Sequence, residues 1–104
     1  MMAKTFSEAA GPPSSQAQRR DIPDYVFLLV TGSGEKKVKR FPAKAFKNGR
    51  WVWSYRWLNA VRNRAMQYGY RAVFNKATKQ LNKLRRERYE EPLLYYDAQK
   101  RKNL

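Results

Sequence analysis

The strongest periodic pattern in the chain lies between residues 54 and 91. Its first half carries apolar side chains at spacings of 4, 4, 3 and 4, which fall within about 80° of one another on a helix. They are Trp57, Val61, Ala65, Tyr68 and Ala72. A second set is centred more than about 100° away: Val73, Ala77, Leu81 and Leu84. The pattern predicts one long basic helix over about 54–90. Either this helix kinks near Gly69, or different partners cover its two halves.

The segments on either side of this helix have the marks of extended chain. Residues 25–30 are consecutively apolar and predict a short strand-like segment at 25–31. Residues 35–48 are basic, and Pro42 prevents a continuous helix there, so they are interpreted as connecting chain. The Asn48-Gly49 pair is a turn signal.

Both ends of the chain are expected to be extended arms. Residues 1–20 are rich in Ser, Ala, Gln, Gly and Pro, which favours a flexible or polyproline-like arm; an uncleaved organellar import segment is the alternative. The predicted fold class is therefore mainly α. It divides into a flexible arm at 1–24, an extended segment with a short strand at 25–53, the long helix at 54–91 and a tail at 92–104.

The composition excludes several kinds of chemistry. The 104 residues contain neither histidine nor cysteine, which removes thiol nucleophiles, imidazole bases, disulfides and Cys/His metal sites. The acids are scattered, and the one group of three, at 87–91, is interpreted as a charge-balanced helix end. We therefore expect no enzyme, no cofactor, no metal and no small-molecule substrate. No apolar run is long enough for membrane insertion.

The positive charge has a definite location. The chain carries a net charge of +15, and residues 35–91 account for +13 of it, with 17 basic and 4 acidic residues. Residues 1–34 are neutral overall. A charge of this density repels itself and destabilises a compact state unless a polyanion neutralises it. The sequence therefore predicts a nucleic-acid partner.

Aromatic residues alternate with cations in this central block. Lys and Arg neutralise phosphates, and aromatic rings or guanidinium planes stack on unpaired bases. Trp57 and Tyr68 are interpreted as core residues, whereas Trp51 and Trp53 stay open between a core role and stacking. The predicted RNA-binding residues are Lys44, Lys47, Arg50, Trp51, Trp53, Arg56, Arg62, Arg64, Arg71, Lys76, Lys79, Lys83, Arg85, Arg86 and Arg88.

Several short motifs follow one another within residues 43–89: the basic run at 43–50, Tyr55-Arg56, Ala65 and the Gln-Tyr-Gly-Tyr-Arg run at 67–71. Through these motifs the segment resembles a known family, the bacterial and organellar large-subunit ribosomal protein L-twenty. With a one-residue shift it extends to Lys79-Gln80-Leu81, Leu84 and Arg88. The sequence departs from the family at Ala72-Val73-Phe74, which replaces Asp-Arg-Arg, and at Arg85, which stands where a tryptophan is expected.

The resemblance implies a divergent mitochondrial or plastid protein that binds rRNA and stabilises its folding. It transfers rRNA contacts to Arg50, Arg56 and Arg71. The predicted function is a structural constituent of an organellar large ribosomal subunit. Its partners would be rRNA and neighbouring ribosomal proteins, and its location the mitochondrial matrix, with plastid or cytoplasm as alternatives.

Two rival functions stay open. The first is a non-catalytic linker or supernumerary subunit that joins acidic subunits of a large complex, such as a respiratory accessory subunit or an antenna linker. The second is an architectural DNA-binding protein, which the lack of helix-turn-helix spacing and zinc ligands disfavours.

Overall fold

The structure is a computed structural model that describes residues 5–104. Helices make up 48% of the described residues and strands 18%, so the fold is mixed α and β. The prediction of a mainly α chain with one long helix is therefore wrong. Short 3₁₀ turns occur at Asp24–Val26 and Gly34–Lys36. The main elements are α1 Gln16–Arg19, β1 Phe27–Thr31, β2 Val38–Pro42, β3 Lys44–Lys47, β4 Arg50–Trp53, α2 Tyr55–Tyr68, α3 Arg71–Glu87 and α4 Tyr96–Lys102.

The predicted long helix is two helices, because the chain reverses at Gly69. Gly69 has a φ of 78°, a left-handed conformation that residues with a Cβ disfavour. Its N–H donates to the Met66 carbonyl at 3.3 Å, and the Tyr70 N–H donates to the Ala65 carbonyl at 2.8 Å. This pair of hydrogen bonds is the Schellman motif that ends helices. The residue interpreted as a kink is therefore a helix terminator.

The two helices pack antiparallel as a hairpin, and this arrangement explains the two apolar stripes. Arg62 on α2 bonds Thr78 on α3, and Tyr55 at the start of α2 meets Arg85 near the end of α3. The stripe residues Val61 and Ala65 share one buried cluster with Val73, Ala77 and Leu81 of the second stripe. Stripes that point apart on a single helix face each other once the chain has reversed.

The chain before α2 forms two antiparallel hairpins. β1 pairs with β2, with Phe27 opposite Pro42 and Thr31 opposite Val38, so the predicted strand at 25–31 is present from Phe27 onward. β3 pairs with β4 through a two-residue turn at Asn48 and Gly49, whose φ values are 51° and 81°. Two positive φ values make this a type I′ turn, the usual connection of a tight hairpin.

The stretch interpreted as connecting chain, residues 35–48, contains β2 and β3. The alternation of buried and exposed positions is not visible in the sequence of this stretch, because Lys39 is charged and yet buried. The Lys39 ammonium donates to the backbone carbonyls of Arg20 and Ile22 and pairs with Asp24. A lysine that is satisfied in this way occupies an inward-facing strand position.

The N-terminal segment is tied to β2 along the part that the structure describes; residues 1–4 of the predicted arm lie outside the described residues. Ser15 and Gln18 form a reciprocal capping box that starts α1. The Gln16 side chain donates to the Lys39 carbonyl and accepts from the Lys39 N–H, both at 3.0 Å. The prediction of an extended arm is therefore wrong for α1.

The C-terminal tail also folds back, so the prediction of an extended tail is wrong there too. The Asn82 side chain donates to the Leu93 carbonyl through Nδ2 and accepts from the Leu93 N–H through Oδ1. Asn75 Oδ1 accepts a hydrogen bond from the Tyr96 N–H at 2.9 Å. The rings of Tyr96 and Phe74 pack edge to face with centroids 5.5 Å apart. These contacts fix α4 against α3.

α3 ends in the same kind of motif as α2, but with a tyrosine at the left-handed position. Tyr89 has a φ of 56° and its side chain is 98% exposed. The Tyr89 and Glu90 N–H groups donate to the carbonyls of Arg86 and Arg85, respectively.

The molecule measures 47 × 31 × 18 Å. No helix within residues 5–104 is long and apolar enough to cross a lipid bilayer.

Candidate nucleic-acid interface

Most of the positive charge has no partner inside the fold. Among the basic residues of the described chain, four take part in ion pairs, and the other cations are free of carboxylates at salt-bridge distance. The four pairs are Lys37–Asp24, Lys39–Asp24, Arg71–Asp97 and Arg85–Glu90. The remaining cations therefore form surfaces that attract an external anion.

Three of these cations converge on one concave site, which we call the arginine cleft. Arg19 comes from α1, Arg40 from β2 and Arg64 from α2, so three separate elements position the guanidinium groups. The cleft has a volume of about 480 Å³. It is lined by Gln16, Arg19, Arg40, Phe41, Arg64, Tyr68 and Tyr70, and this lining contains no aspartate or glutamate.

The like charges of the arginine cleft act on one another. Burial lowers the pKa of the Arg19 guanidinium from its ordinary value, and the positive charges of Arg64 and Arg40 lower it further. Arginine nevertheless stays protonated in proteins. The folded state therefore holds three repelling charges together, and an anion in the cleft relieves that repulsion.

Hydrogen bonds orient two of the guanidinium groups and leave donors free. Arg19 Nε donates to the Pro13 carbonyl at 3.0 Å, and its Nη1 donates to the Lys39 carbonyl at 2.8 Å. Arg40 Nη1 donates to the Tyr70 hydroxyl at 3.0 Å. The Arg64 side chain is exposed and makes no hydrogen bond to another group within residues 5–104. Since each guanidinium has five N–H donors, several remain for a phosphate.

Aromatic rings form part of the wall of the cleft. The Tyr70 ring packs edge to face on Phe41, with centroids 5.1 Å apart. Tyr68, at the last position of α2, is 65% exposed. The prediction that Tyr68 belongs to the core is therefore wrong, whereas Trp57, predicted as core in the same way, is 3% exposed. An exposed ring beside three arginines is suited to stacking.

An adjoining groove continues the arginine cleft along α2. Arg19, Phe41 and Arg64 line both depressions, and the groove of about 330 Å³ reaches Arg56. Residues 56, 60, 64 and 68 recur every four positions and share one helix face, and twelve residues of helix span about 18 Å. Glu8 also lines this groove, and its carboxylate accepts a hydrogen bond from the Ser54 hydroxyl.

A second cationic surface, which we call the lysine stripe, lies on α3. It consists of Lys76, Lys79, Lys83 and Arg86, all exposed. Their helix positions lie about 180° from the buried face of α3. The last three line a groove of about 390 Å³ together with Asn82, Glu90, Pro92 and Tyr95. This surface therefore faces away from the hairpin partner.

Arg62 and Arg85, two of the predicted RNA-binding arginines, serve the fold instead. Arg62 is 8% exposed and donates to Thr78 Oγ1 at 2.9 Å and to the Leu94 carbonyl at 2.7 Å. Burial lowers the pKa of Arg62, and the charge of Arg85 lowers it further. Arg85 bonds the Tyr55 hydroxyl at 2.8 Å and pairs with Glu90. We leave both out of the candidate interface.

Two further predicted arginines contact aromatic rings at the surface. Arg71 pairs with Asp97 at 2.9 Å, and its guanidinium carbon lies 5.4 Å from the Tyr96 ring centroid. Arg88 lies 4.2 Å from the centroid of Tyr55. Arg71 is thus partly neutralised, while Arg88 keeps its charge beside the end of α3.

Of the predicted RNA-binding residues on β3 and β4, some pack against neighbouring side chains and others are exposed. The Lys44 ammonium lies 4.5 Å from the Trp53 ring centroid and 5.1 Å from that of Tyr25. Trp51 is half-buried against Phe46, with centroids 5.3 Å apart. Both tryptophans therefore pack against neighbours. At the hairpin tip, Lys47 and Arg50 are exposed.

Arg19, Arg40 and Tyr68 belong to the cleft but were not among the predicted binding residues. Arg19 lies in a segment that is neutral overall, and Arg40 in one interpreted as connecting chain. A sequence signal for α1 exists: Ser15 followed three residues later by Gln18 matches the capping box. The strand register that turns Arg40 toward α2 has no comparable local signal.

The described residues contain no group of three or more His, Cys, Asp or Glu side chains arranged to hold a metal ion. Comparison of the chain with protein-family models, curated proteins and solved structures gives no match in any of the three.

Proposed function

We propose that this chain is a non-catalytic RNA-binding protein whose target is the rRNA of an organellar large ribosomal subunit in the mitochondrial matrix. The observation that carries the proposal is the arginine cleft: three guanidinium groups from three elements, with no carboxylate in its lining. A monoanionic or dianionic phosphate is the ligand that such a set of donors recognises by paired hydrogen bonds.

The rest of the surface supports a polyanion over a single small anion. Arg56 extends the cleft along α2, and the lysine stripe adds exposed cations on another face. A molecule with many phosphates contacts both surfaces, and counterion release from it supplies affinity that falls steeply with salt. The choice of large-subunit rRNA rests on the resemblance of residues 43–89.

The proposal is tested first by the salt dependence of RNA binding. The double variant Arg40→Gln/Arg64→Gln removes two cleft charges, and Arg101→Gln/Lys102→Gln removes two exposed charges from α4 as a matched control. For single-stranded RNA, the slope of log K against log salt should fall by about 1.4 in the cleft variant. The control should keep nearly the parent slope.

Binding that does not depend on salt, or equal slopes in the two variants, would contradict the proposal. A density gradient of organelle lysate, run with and without RNase, then tests the target. Co-migration with a large ribosomal subunit that collapses after RNase supports it. Migration in an RNase-resistant complex assigns the cationic surface to acidic protein subunits, the linker alternative.

A further inference from the structure

The arginine cleft is concave, and its shape bears on what kind of RNA it binds. Its volume of about 480 Å³ falls in the range of clefts that bind small organic groups. A duplex carries its phosphates on an outer rim, and an exposed row of cations such as the lysine stripe is enough to neutralise them. A concave cleft, by contrast, suits a ligand group that is small enough to enter it.

We infer that the arginine cleft holds one unpaired nucleotide, with its phosphate against Arg19, Arg40 and Arg64 and its base stacked on Tyr68. This inference rests on the proposed function and narrows it to a single-stranded or bulged element of the RNA.

Tyr68 is the ring of the cleft that is free to stack. The Tyr70 hydroxyl accepts a hydrogen bond from Arg40, and its ring packs against Phe41, so Tyr70 and Phe41 serve as wall. Tyr68 is 65% exposed and precedes the turn at Gly69. Base–aromatic stacking needs such an open ring face.

The cleft reads the presence of a base more than its identity. The side chain best suited to reading base edges is Gln16, but its amide oxygen and nitrogen are both bonded to the Lys39 backbone. Stacking tolerates every base, because every base has a π face. The cleft is therefore expected to accept unpaired nucleotides of different sequence with similar affinity.

The test measures affinities for a single-stranded RNA and for a duplex of the same length by fluorescence anisotropy. Tyr68→Ala should weaken single-strand binding by roughly 5- to 150-fold, which corresponds to about 1–3 kcal/mol. Tyr68→Phe keeps the ring and should keep the affinity. Tyr89→Ala removes an exposed tyrosine outside the cleft and serves as the matched control. Duplex affinity and the salt slope should not change in any of them.

An oligonucleotide with abasic residues sharpens the test, because it keeps the phosphates and removes the bases. On it, the parent and Tyr68→Ala should bind equally. Equal losses for duplex and single strand, or an unchanged single-strand affinity for Tyr68→Ala, would overturn the inference while salt-dependent RNA binding left the proposed function intact. Absence of RNA binding by the parent would overturn both. Thermal unfolding of each variant confirms that it folds.

Discussion

Replacing Arg62 with methionine separates a structural role from an RNA-binding role on the same helix. Arg62 and Arg64 are two residues apart on α2, yet the first is buried and the second lines the arginine cleft. Arg62→Met keeps the long aliphatic stem and removes the hydrogen-bond donors and the charge. Arg64→Met makes the same chemical change at the exposed position and is the matched control.

The expected loss of stability in Arg62→Met follows from the contacts that the Arg62 side chain makes. Its two short hydrogen bonds, to Thr78 and Leu94, involve a charged donor and contribute about 1.5–3 kcal/mol each. Its guanidinium carbon lies 4.3 Å from the Phe74 ring centroid, a contact that adds up to about 2 kcal/mol when desolvated. The cost of burying the charge, several kcal/mol, offsets most of this gain. We expect Arg62→Met to lower the free energy of unfolding by about 2 kcal/mol.

The control variant Arg64→Met should keep its stability and show a smaller salt slope for RNA binding. Arg64→Met relieves repulsion with Arg19 and Arg40, so its free energy of unfolding should stay within about 0.5 kcal/mol of the parent. Its salt slope for single-stranded RNA should fall by about 0.7. Urea denaturation and anisotropy measure the two quantities. If Arg62→Met unfolds like the parent and loses RNA affinity as Arg64→Met does, the structural assignment of Arg62 is refuted.

Three further predictions concern the fold itself. Gly69→Ala forces a Cβ into a left-handed residue and should lower the free energy of unfolding by about 1–2 kcal/mol; an unchanged thermal midpoint would contradict this. Tyr89→Gly relieves the same conformation at an exposed residue and should raise stability by about 1 kcal/mol, seen as a higher urea midpoint. Hydrogen bonds from Lys37 and Lys39 hold the pKa of Asp24 below its ordinary 3.8. This carboxylate therefore contributes to the stability of the fold above pH 3.8, and the contribution is lost as the pH falls through the folded-state pKa. Asp24→Asn should therefore lower the free energy of unfolding at neutral pH and match the parent in strong acid.

Local signals predicted some elements well, because they depend on a few adjacent residues. The sequence predicts that the helix begins at about residue 54, and the Ser54 side chain accepts a hydrogen bond from the Trp57 N–H at the start of α2. The Asn48-Gly49 turn lies at the predicted place. Gly69 was identified as a break, but a kink and a reversal produce the same sequence pattern. What distinguishes them is whether two stripes bury each other, which is a tertiary property.

The sheets and the cleft depend on contacts between distant residues, so the sequence did not reveal them. Lys39 looks like a surface residue until the carbonyls of Arg20 and Ile22 are brought to its ammonium group. Arg19 and Arg64 are 45 positions apart and meet only because α1 docks on β2. Net charge indicated an anionic partner, but it could not show which cations converge.

The arrangement of the fold as three successive hairpins has a consequence for how quickly it forms. β1 with β2, β3 with β4 and α2 with α3 each join neighbours in the sequence. Contacts between neighbours in the sequence close short loops at a low cost in entropy, which favours fast folding. The docking of α1 spans a longer stretch of chain. The arginine cleft joins residues 45 positions apart, so we expect it to be completed after the hairpins, and an anion that offsets its charge repulsion should speed that step.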